Sequence, residues 1–267
     1  MRHQLSFACE GATLAASFDE AAGSTGLLIV SGGNEVRSGA HRGMAMLAAR
    51  IAAEGYPVFR FDRRGIGDSE GTNGGYQISA PDIAAAIAAF RDAAPQLTRI
   101  VAFGNCDAAS ALLLHQPQTL DALILANPWT YESDEAEADE PALPPAAAIR
   151  ARYLSRLTDP KSLLRLFKGE IDVRKLARGL SALRRKSAPA APDSLSARLD
   201  RALEGLPCPA TILLATGDRT AQAFAENCHP RAVPVERLDS SSHSFAGHDA
   251  EWLAQTILKA LGRASVG

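Results

Sequence analysis

The sequence predicts an α/β protein in which helices flank a mostly parallel sheet of eight strands. Short apolar runs alternate with helix-like stretches along most of the 267 residues, as in a parallel sheet covered by helices. The first two runs are joined only by Glu10 and Gly11, which predicts an antiparallel hairpin at one edge. The alternation stops after residue 127 and resumes near residue 206. We therefore expect a core of residues 1–127 and 206–267 with a helical insertion, residues 128–205, after the sixth strand.

Local signals assign the elements in chain order. Strands are predicted at residues 3–9, 12–18, 26–30, 57–61, 99–103, 122–126, 210–215 and 232–238. Helices are predicted at about residues 40–54, 81–93, 107–115, 220–227 and 249–262. Gly55 is suited to end the first helix, and Pro81 is suited to the first turn of the second.

The insertion has an uneven charge distribution. Residues 132–140 are acidic, and residues 141–145 are rich in proline. Residues 150–186 contain twelve Lys or Arg against three acidic residues, which is a local charge near +9. Leucines recur at helical spacing in this basic stretch, so we expect two or three amphipathic helices there.

Composition and charge exclude several classes of protein. The 28 basic and 30 acidic side chains give a formal charge of −2, so a global cationic surface for nucleic acid is absent. No apolar run approaches the ~18–20 residues of a membrane span, and the N-terminus lacks an apolar segment of signal-peptide length. We therefore expect a cytoplasmic protein. The four cysteines form no CxxC pair and the six histidines no HxxxH or HExxH spacing, so no metal or cofactor is expected.

Residues 104–108 (Gly-Asn-Cys-Asp-Ala) lie between a predicted strand and a predicted helix. This context is typical of a nucleophile elbow, whose usual pattern is Gly-x-Ser-x-Gly. Cys106 replaces the serine, and Ala108 keeps a small side chain where strand and helix approach closely. A helix N-terminus favours the thiolate, so Cys106 is the candidate nucleophile. The alternative is a buried structural cysteine.

Asp218 and His243 are the candidate partners of Cys106. In proteins with a nucleophile elbow, the chain order is nucleophile, acid, histidine. Asp218 follows the seventh predicted strand, and His243 lies in the loop after the eighth. Asp218 could instead only cap the next helix. His248 competes with His243 but opens the final helix, so His243 is preferred.

An acyl-transfer site also needs two N–H donors that hold an oxyanion. One is expected to be the backbone N–H of Asp107, the residue after the nucleophile. The other is expected from the loop after the third strand, residues 31–34 (Ser-Gly-Gly-Asn). Because glycine lets the backbone turn its amides inward, Gly33 is predicted to be this donor, with Asn34 as the alternative.

Four segments carry a resemblance to a known family: residues 62–71 (Asp-Arg-Arg-Gly-Ile-Gly-Asp-Ser-Glu-Gly), 104–111, 127–129 (Asn-Pro-Trp) and 242–245 (Ser-His-Ser-Phe). The first looks like the D-x-R-G-x-G-x-S-x-G loop found after the fourth strand in many α/β-hydrolases. Together the segments resemble the type-one α/β-hydrolases that accompany exosortase A systems in bacteria. The resemblance covers nearly the whole chain, including the basic insertion.

This resemblance implies an α/β-hydrolase fold with cysteine at the elbow. It also implies a hydrolase-like protein linked to extracellular polysaccharide and protein-sorting loci, and it leaves the substrate open. Dienelactone hydrolases offer a second Cys-His-Asp parallel within the fold, but they lack the insertion. Insertions after the sixth strand of this fold commonly form a lid, so residues 128–205 are predicted to be a helical lid.

The predicted function is acyl hydrolysis of an ester, thioester or lactone through a thioester on Cys106. In this mechanism His243 deprotonates the thiol, Asp218 fixes the imidazole tautomer, and the amides of Gly33 and Asp107 hold the oxyanion. An acyltransferase with the same triad and a catalytically silent binding protein are the alternatives. The acyl substrate is a small molecule or is carried by a protein.

The positive charge of the predicted lid is compatible with an anionic ligand or a carrier protein, such as one with a phosphopantetheine-linked acyl group. A solvated basic face that the acidic residues 132–140 neutralise is the alternative. The sequence does not predict an oligomeric state.

Overall fold

The computed structural model describes residues 1–131, 191 and 193–266. Most of the predicted lid, with its acidic and basic stretches and its predicted helices, lies outside the described residues. The described part contains one eight-stranded sheet in the order β1-β2-β4-β3-β5-β6-β7-β8. The strands are β1 (Arg2–Cys9), β2 (Ala12–Asp19), β3 (Thr25–Val30), β4 (Val58–Phe61), β5 (Arg99–Asn105), β6 (Ala122–Ala126), β7 (Ala210–Ala215) and β8 (Val235–Leu238). The predicted fold class is confirmed.

The strand directions agree with the sequence pattern. β1 and β2 form the antiparallel edge hairpin, and β2 pairs antiparallel with β4. All remaining pairs, from β4 to β8, are parallel. Parallel strands end at the same edge of a sheet, so the loops that follow β3, β5, β6, β7 and β8 meet there.

Helices cover both faces of this sheet. They are α1 (Gly43–Ala53), α2 (Ala80–Ala93), α3 (Asp107–His115), α4 (Leu195–Glu204), α5 (Arg219–Asn227) and α6 (Asp249–Val266). Short 3-10 turns occupy Ala40–Arg42 and Tyr76–Ile78. The first helix therefore begins later than predicted, because His41 and Arg42 adopt left-handed backbone angles, φ 51° and 62°. Among the described residues, no helix is long and apolar enough to span a membrane.

Alternate side chains of the central strands build two cores. Leu28 and Val30 of β3 belong to the core that α2, α3, α4 and α5 cover. Leu27 and Ile29 belong to the opposite core, which α1 and α6 cover. Because successive side chains of a strand point to opposite faces, a parallel strand between two helical layers must be apolar along its whole length.

Helix α4 packs on the first of these cores. Leu195, Leu199 and Leu203 recur every four residues and are buried, so they form one apolar stripe. The side-chain amide of Gln116 at the end of α3 donates a hydrogen bond of 2.7 Å to the carbonyl of Ala202. The sequence did not predict α4 as a separate element, and it lies within the residues assigned to the insertion.

Candidate active site

The elbow between β5 and α3 holds Cys106 in a strained conformation. Cys106 has φ 61° and ψ −127° and is the N-cap residue of α3. Its backbone N–H donates to the carbonyl of Ala126 at 2.9 Å, and its carbonyl accepts from Ala109 and Trp129 at 3.1 and 3.2 Å. A non-glycine residue at such angles costs about 1–3 kcal/mol, a cost that surrounding contacts sustain mainly at functional sites. The side chain of Cys106 is half-buried and accessible from solvent.

Two glycines allow the chain to approach this elbow closely. A Cβ atom on Gly104 would lie 2.8 Å from the carbonyl carbon of Ala108, so β5 and α3 could not pack with a larger residue. A Cβ on Gly32 would lie 2.4 Å from the carbonyl oxygen of Asn105. The loop after β3 is therefore held directly against the residues around Cys106.

The structure brings Asp218 and His243 together. His243 Nδ1 lies 3.1 Å from Asp218 Oδ2; the carboxylate side chain is 9% exposed and the imidazole 40% exposed. Asp218 is also the N-cap of α5, because Oδ2 accepts the backbone N–H of Ala221 at 3.0 Å. The helix-cap role and the histidine contact are therefore compatible, and the cap helps to fix the carboxylate.

The electrostatic environment links His243 to Cys106 as well. The pKa of His243 is raised to about 10, first by the hydrogen bond with Asp218 and then by a hydrogen bond with the Cys106 side chain, while burial opposes the shift. The imidazole thus pairs with the carboxylate of Asp218, and its pKa also responds to the side chain of Cys106. The raised pKa favours a protonated imidazole at neutral pH.

The competing histidine does not join this cluster. His248 is 93% exposed, and its Nε2 lies 2.8 Å from Asp249 Oδ1. No group of three or more His, Cys, Asp or Glu side chains suited to a metal ion occurs in the part of the chain that the structure describes.

Two asparagines, which sequence reasoning did not identify as site residues, fix the loop of His243. The side-chain amides of Asn105 and Asn127 each donate a hydrogen bond of 3.1 Å to the carbonyl of His243. Asn127 is fully buried with φ 41°, and its Oδ1 accepts the backbone N–H of Ala215 at 2.9 Å. An asparagine directly after a strand suits a left-handed turn, but its partners in β7 and the histidine loop become visible only in the fold.

The predicted oxyanion donors are also adjacent, but one of them is occupied. The backbone N–H of Gly33 donates to Asp107 Oδ1 at 2.6 Å. Within residues 1–131, 191 and 193–266, no hydrogen bond engages the backbone N–H of Asp107. The alternative residue Asn34 accepts a hydrogen bond of 2.8 Å from Asn73 through its side-chain oxygen. The carboxylate of Asp107 therefore blocks one donor that the sequence predicts for the substrate.

A buried arginine completes this arrangement. Arg63 is 4% exposed, and its Nη2 donates to the carbonyl of Gly33 at 2.5 Å and to Asp107 Oδ2 at 3.4 Å. Among the described atoms, Arg63 Nη1 has no hydrogen-bond partner. The guanidinium thus anchors both the loop after β3 and the carboxylate that engages it, a role that the sequence motif around Arg63 did not indicate.

Comparisons with known proteins agree with this fold. Residues 27–256 match the profile of the alpha/beta hydrolase family. An esterase from Pyrococcus furiosus has a similar structure, with a TM-score of 0.63, 17% identity, and coverage of 99% of this chain and 91% of that one. An alpha/beta hydrolase from Penicillium sp. sh18 gives a TM-score of 0.65 at 16% identity, with full coverage of both chains.

The thioesterase domain from the curacin biosynthetic pathway is similar too. It gives a TM-score of 0.58 at 15% identity, and the match covers 97% of this chain and 99% of that one. No curated protein sequence matches the chain. At these identities the structural matches show the shared fold.

Proposed function

We propose that this chain, which belongs to the alpha/beta hydrolase family, is an acyl hydrolase of esters, thioesters or lactones with Cys106 as its nucleophile. The observation that carries the proposal is the position of the His243 imidazole, whose Nδ1 lies 3.1 Å from Asp218 Oδ2 and whose pKa is also raised by the side chain of Cys106. A nucleophile, a base and a group that orients the base are the parts that covalent acyl transfer needs.

The first half-reaction forms a thioester. Before the reaction the thiol proton already resides on His243, and the sulfur of Cys106 attacks the carbonyl carbon, so that a C–S bond forms and the carbonyl oxygen becomes an oxyanion. The imidazolium then gives its proton to the leaving alcohol, thiol or ring oxygen as the bond to that group breaks. Asp218 keeps the proton of Nδ1 in place, so that Nε2 faces the reacting atoms.

The second half-reaction releases the acyl group. His243 takes a proton from water, the hydroxide oxygen attacks the thioester carbon, and the C–S bond breaks. The sulfur leaves as a thiolate beside the imidazolium, which restores the starting pair. Amide substrates suit this site less well, because a thiolate leaves more easily than an amine and the tetrahedral adduct collapses backwards.

Two further observations support ester or thioester substrates. The similar structures include an esterase and a thioesterase domain. Gly33 is exposed and lies beside the elbow, so its backbone N–H is within reach of a bound carbonyl once the carboxylate of Asp107 turns away. With the free N–H of Asp107, it forms the proposed oxyanion hole.

Within the family, we assign the chain to the type-one hydrolases of exosortase A systems. The loop at residues 62–71 and the cysteine at the elbow support this assignment. Residues 128–205 are proposed to be the lid, with the core on either side. The basic stretch at residues 150–186 makes an anionic acyl carrier the preferred substrate form.

The proposed function is tested by incubating the purified protein with a short-chain p-nitrophenyl ester and an acyl thioester, with and without an alcohol or amine acceptor. Free acid as the main product is the expected result. Transfer of the acyl group to the added acceptor would identify an acyltransferase instead. Absence of any acyl release from the whole panel would contradict both.

Replacing Asp107 with alanine is expected to raise kcat/KM for the ester. The substitution frees the Gly33 N–H, which now donates to Asp107 Oδ1 at 2.6 Å, and it leaves the backbone N–H of residue 107 unchanged. Removing the competing carboxylate should raise the acylation rate roughly tenfold, which corresponds to the free energy of about one hydrogen bond. Stopped-flow acylation by the ester measures this change.

Alkylation by iodoacetamide provides the control for this variant, because it forms no oxyanion. We expect a smaller change in the alkylation rate of Cys106 than in its acylation rate. Asp107→Asn keeps an oxygen acceptor beside Gly33 and should give an intermediate acylation rate. A fall in acylation for Asp107→Ala, with alkylation unchanged, would show that the carboxylate assists the reaction and does not block it.

A further inference from the structure

A cavity that is separate from the Cys106 site is lined by four arginines. It has a volume of about 540 Å³ and lies between the first strands of the sheet, the loop after β3 and the start of α1. We call it the arginine cavity, after its lining residues Arg2, Arg37, Arg42 and Arg60. None of the proposed triad or oxyanion residues lines it.

Arg60 on β4 is the buried base of this cavity. It is 1% exposed, its Nη2 lies 3.2 Å from Asp19 Oδ2, and its Nη1 donates to the carbonyl of Arg37 at 2.6 Å. Its Nε proton has no partner among the described atoms. Burial lowers the pKa of Arg60, because the charge is removed from water. An anion in the cavity would offset the cost of burying the Arg60 charge.

The acidic neighbours do not neutralise the cluster completely. Arg2 and Arg60 share the carboxylate of Asp19. Arg37 pairs with the buried Asp62 and, at 2.9 Å, with Asp68, whose side chain is 75% exposed. Arg42 forms no ion pair or hydrogen bond with any described side chain. One positive charge therefore remains uncompensated, and the only acidic residue among the lining residues lies at the exposed rim.

The start of α1 adds to the positive potential. Arg42 is the N-cap residue of this 11-residue helix, and Ala45 in its first turn also lines the cavity. The helix dipole makes such an end favourable for anions, while the backbone N–H groups of Gly43 and Ala45 already donate to the carbonyls of Ala40 and Ser38. The helix end supports the site, which the cavity and the unpaired Nε of Arg60 define without it.

We propose that the arginine cavity binds the phosphate group of a small soluble ligand. The four arginines come from β1, the loop after β3, the start of α1 and β4, so they line the space from several directions. A tetrahedral phosphate accepts hydrogen bonds from several directions, whereas a carboxylate offers two oxygens in one plane. The volume leaves room for an organic group attached to the phosphate. This inference is independent of the proposed acyl hydrolase activity.

The test is isothermal titration calorimetry of the full chain with inorganic phosphate and with glycerol 3-phosphate. We expect both to bind, and we expect Arg42→Ala to weaken the binding about tenfold, the usual scale for a charge-assisted hydrogen bond. Arg231→Ala is the matched control, because Arg231 is exposed and lies beside β8, at the opposite edge of the sheet from β1. It removes the same charge and should leave the affinity unchanged.

Asp68→Asn gives a test with the opposite sign. Removing the negative charge at the rim should tighten phosphate binding by about threefold, and added salt should reduce that gain. A variant that merely disturbs the fold does not strengthen binding. Tighter binding by Asp68→Asn together with weaker binding by Arg42→Ala therefore supports the site.

Several results would overturn the proposal. One is the absence of phosphate binding at concentrations up to about 10 mM, since a specific site should bind in the millimolar range or more tightly. Another is an equal affinity of the Arg42→Ala and Arg231→Ala variants for phosphate. Binding of malonate as tight as that of phosphate would show that the site does not select phosphate. Binding only to vesicles that contain phosphatidic acid, and not to soluble phosphates, would replace the small ligand by a membrane surface.

Discussion

Cys106→Ala is expected to lower kcat/KM for an ester or thioester by about 10⁴-fold or more, the usual effect of removing a catalytic nucleophile. The remaining site would still hold the substrate and its oxyanion but could form no covalent intermediate. Cys208→Ala is the matched control, since Cys208 is also a half-buried free cysteine. It should retain full turnover. An active Cys106→Ala variant would remove Cys106 from the mechanism.

Thiol labelling of the unmodified protein examines the same residue without mutation. Burial raises the pKa of Cys9 to about 11 and that of Cys228 to about 12, and it raises the pKa of Cys208 as well. These three thiols stay protonated at neutral pH and react slowly. Cys106, beside a protonated imidazole at a helix N-terminus, should be the first site that iodoacetamide modifies. Equal labelling of Cys106 and Cys208 would argue against the imidazole contact.

Asp218→Asn is expected to reduce kcat/KM by about 10²–10⁴-fold, because the carboxylate that selects the tautomer of His243 is lost. The amide can still cap α5 through its oxygen, so the fold should persist. Thermal unfolding of the variant checks that the cap is kept. Asp200→Asn is the control: Asp200 lies 3.4 Å from Nδ1 of His229 in a similar but more exposed pair. Its activity should not change.

The pH dependence gives this variant a readout that a structural role would not produce. Asp218 is the largest cause of the rise in the pKa of His243 from 6.5 to about 10. Its removal destabilises the imidazolium, so the pKa must fall. The alkaline limb of kcat/KM, which reports loss of the imidazolium proton, should therefore move to lower pH. NMR titration of the imidazole measures the shift directly, and an unchanged pKa would contradict the ion pair.

The sheet and the positions of Cys106, Asp218 and His243 could be predicted because short stretches of sequence indicate each of them. Apolar runs with clear turns marked the strands, and the parallel order of β5 to β8 places their ends at one edge. Cys106, Asp218 and His243 each follow a strand of this set directly or in the next loop. Topology alone therefore brings them together, even though 137 residues separate the cysteine from the histidine in the sequence.

The details of the oxyanion region could not be predicted in this way. Gly33 and Asp107 are 74 residues apart, and their hydrogen bond depends on a side-chain rotamer next to the buried Arg63. The hydrogen bonds from the side chains of Asn105 and Asn127 to the His243 carbonyl likewise depend on how three separate loops meet in the fold. Such contacts leave no periodicity or spacing in the sequence.

The arginine cavity was missed for a related reason. Its four arginines lie on separate elements, and the formal charge of the chain is close to zero. A local excess of charge that forms only on folding cannot be read from composition. The prediction of a charged ligand site was placed instead on the basic insertion, where the charge is contiguous in the chain.

Intact-mass spectrometry during turnover of an activated acyl ester tests the central claim most directly. We expect a transient mass increase equal to one acyl group, which peptide mapping assigns to Cys106 and which hydroxylamine removes. His243→Ala should slow its formation, and Cys106→Ala should abolish it. Full turnover without any acyl adduct on Cys106, or an adduct on another residue, would contradict the account.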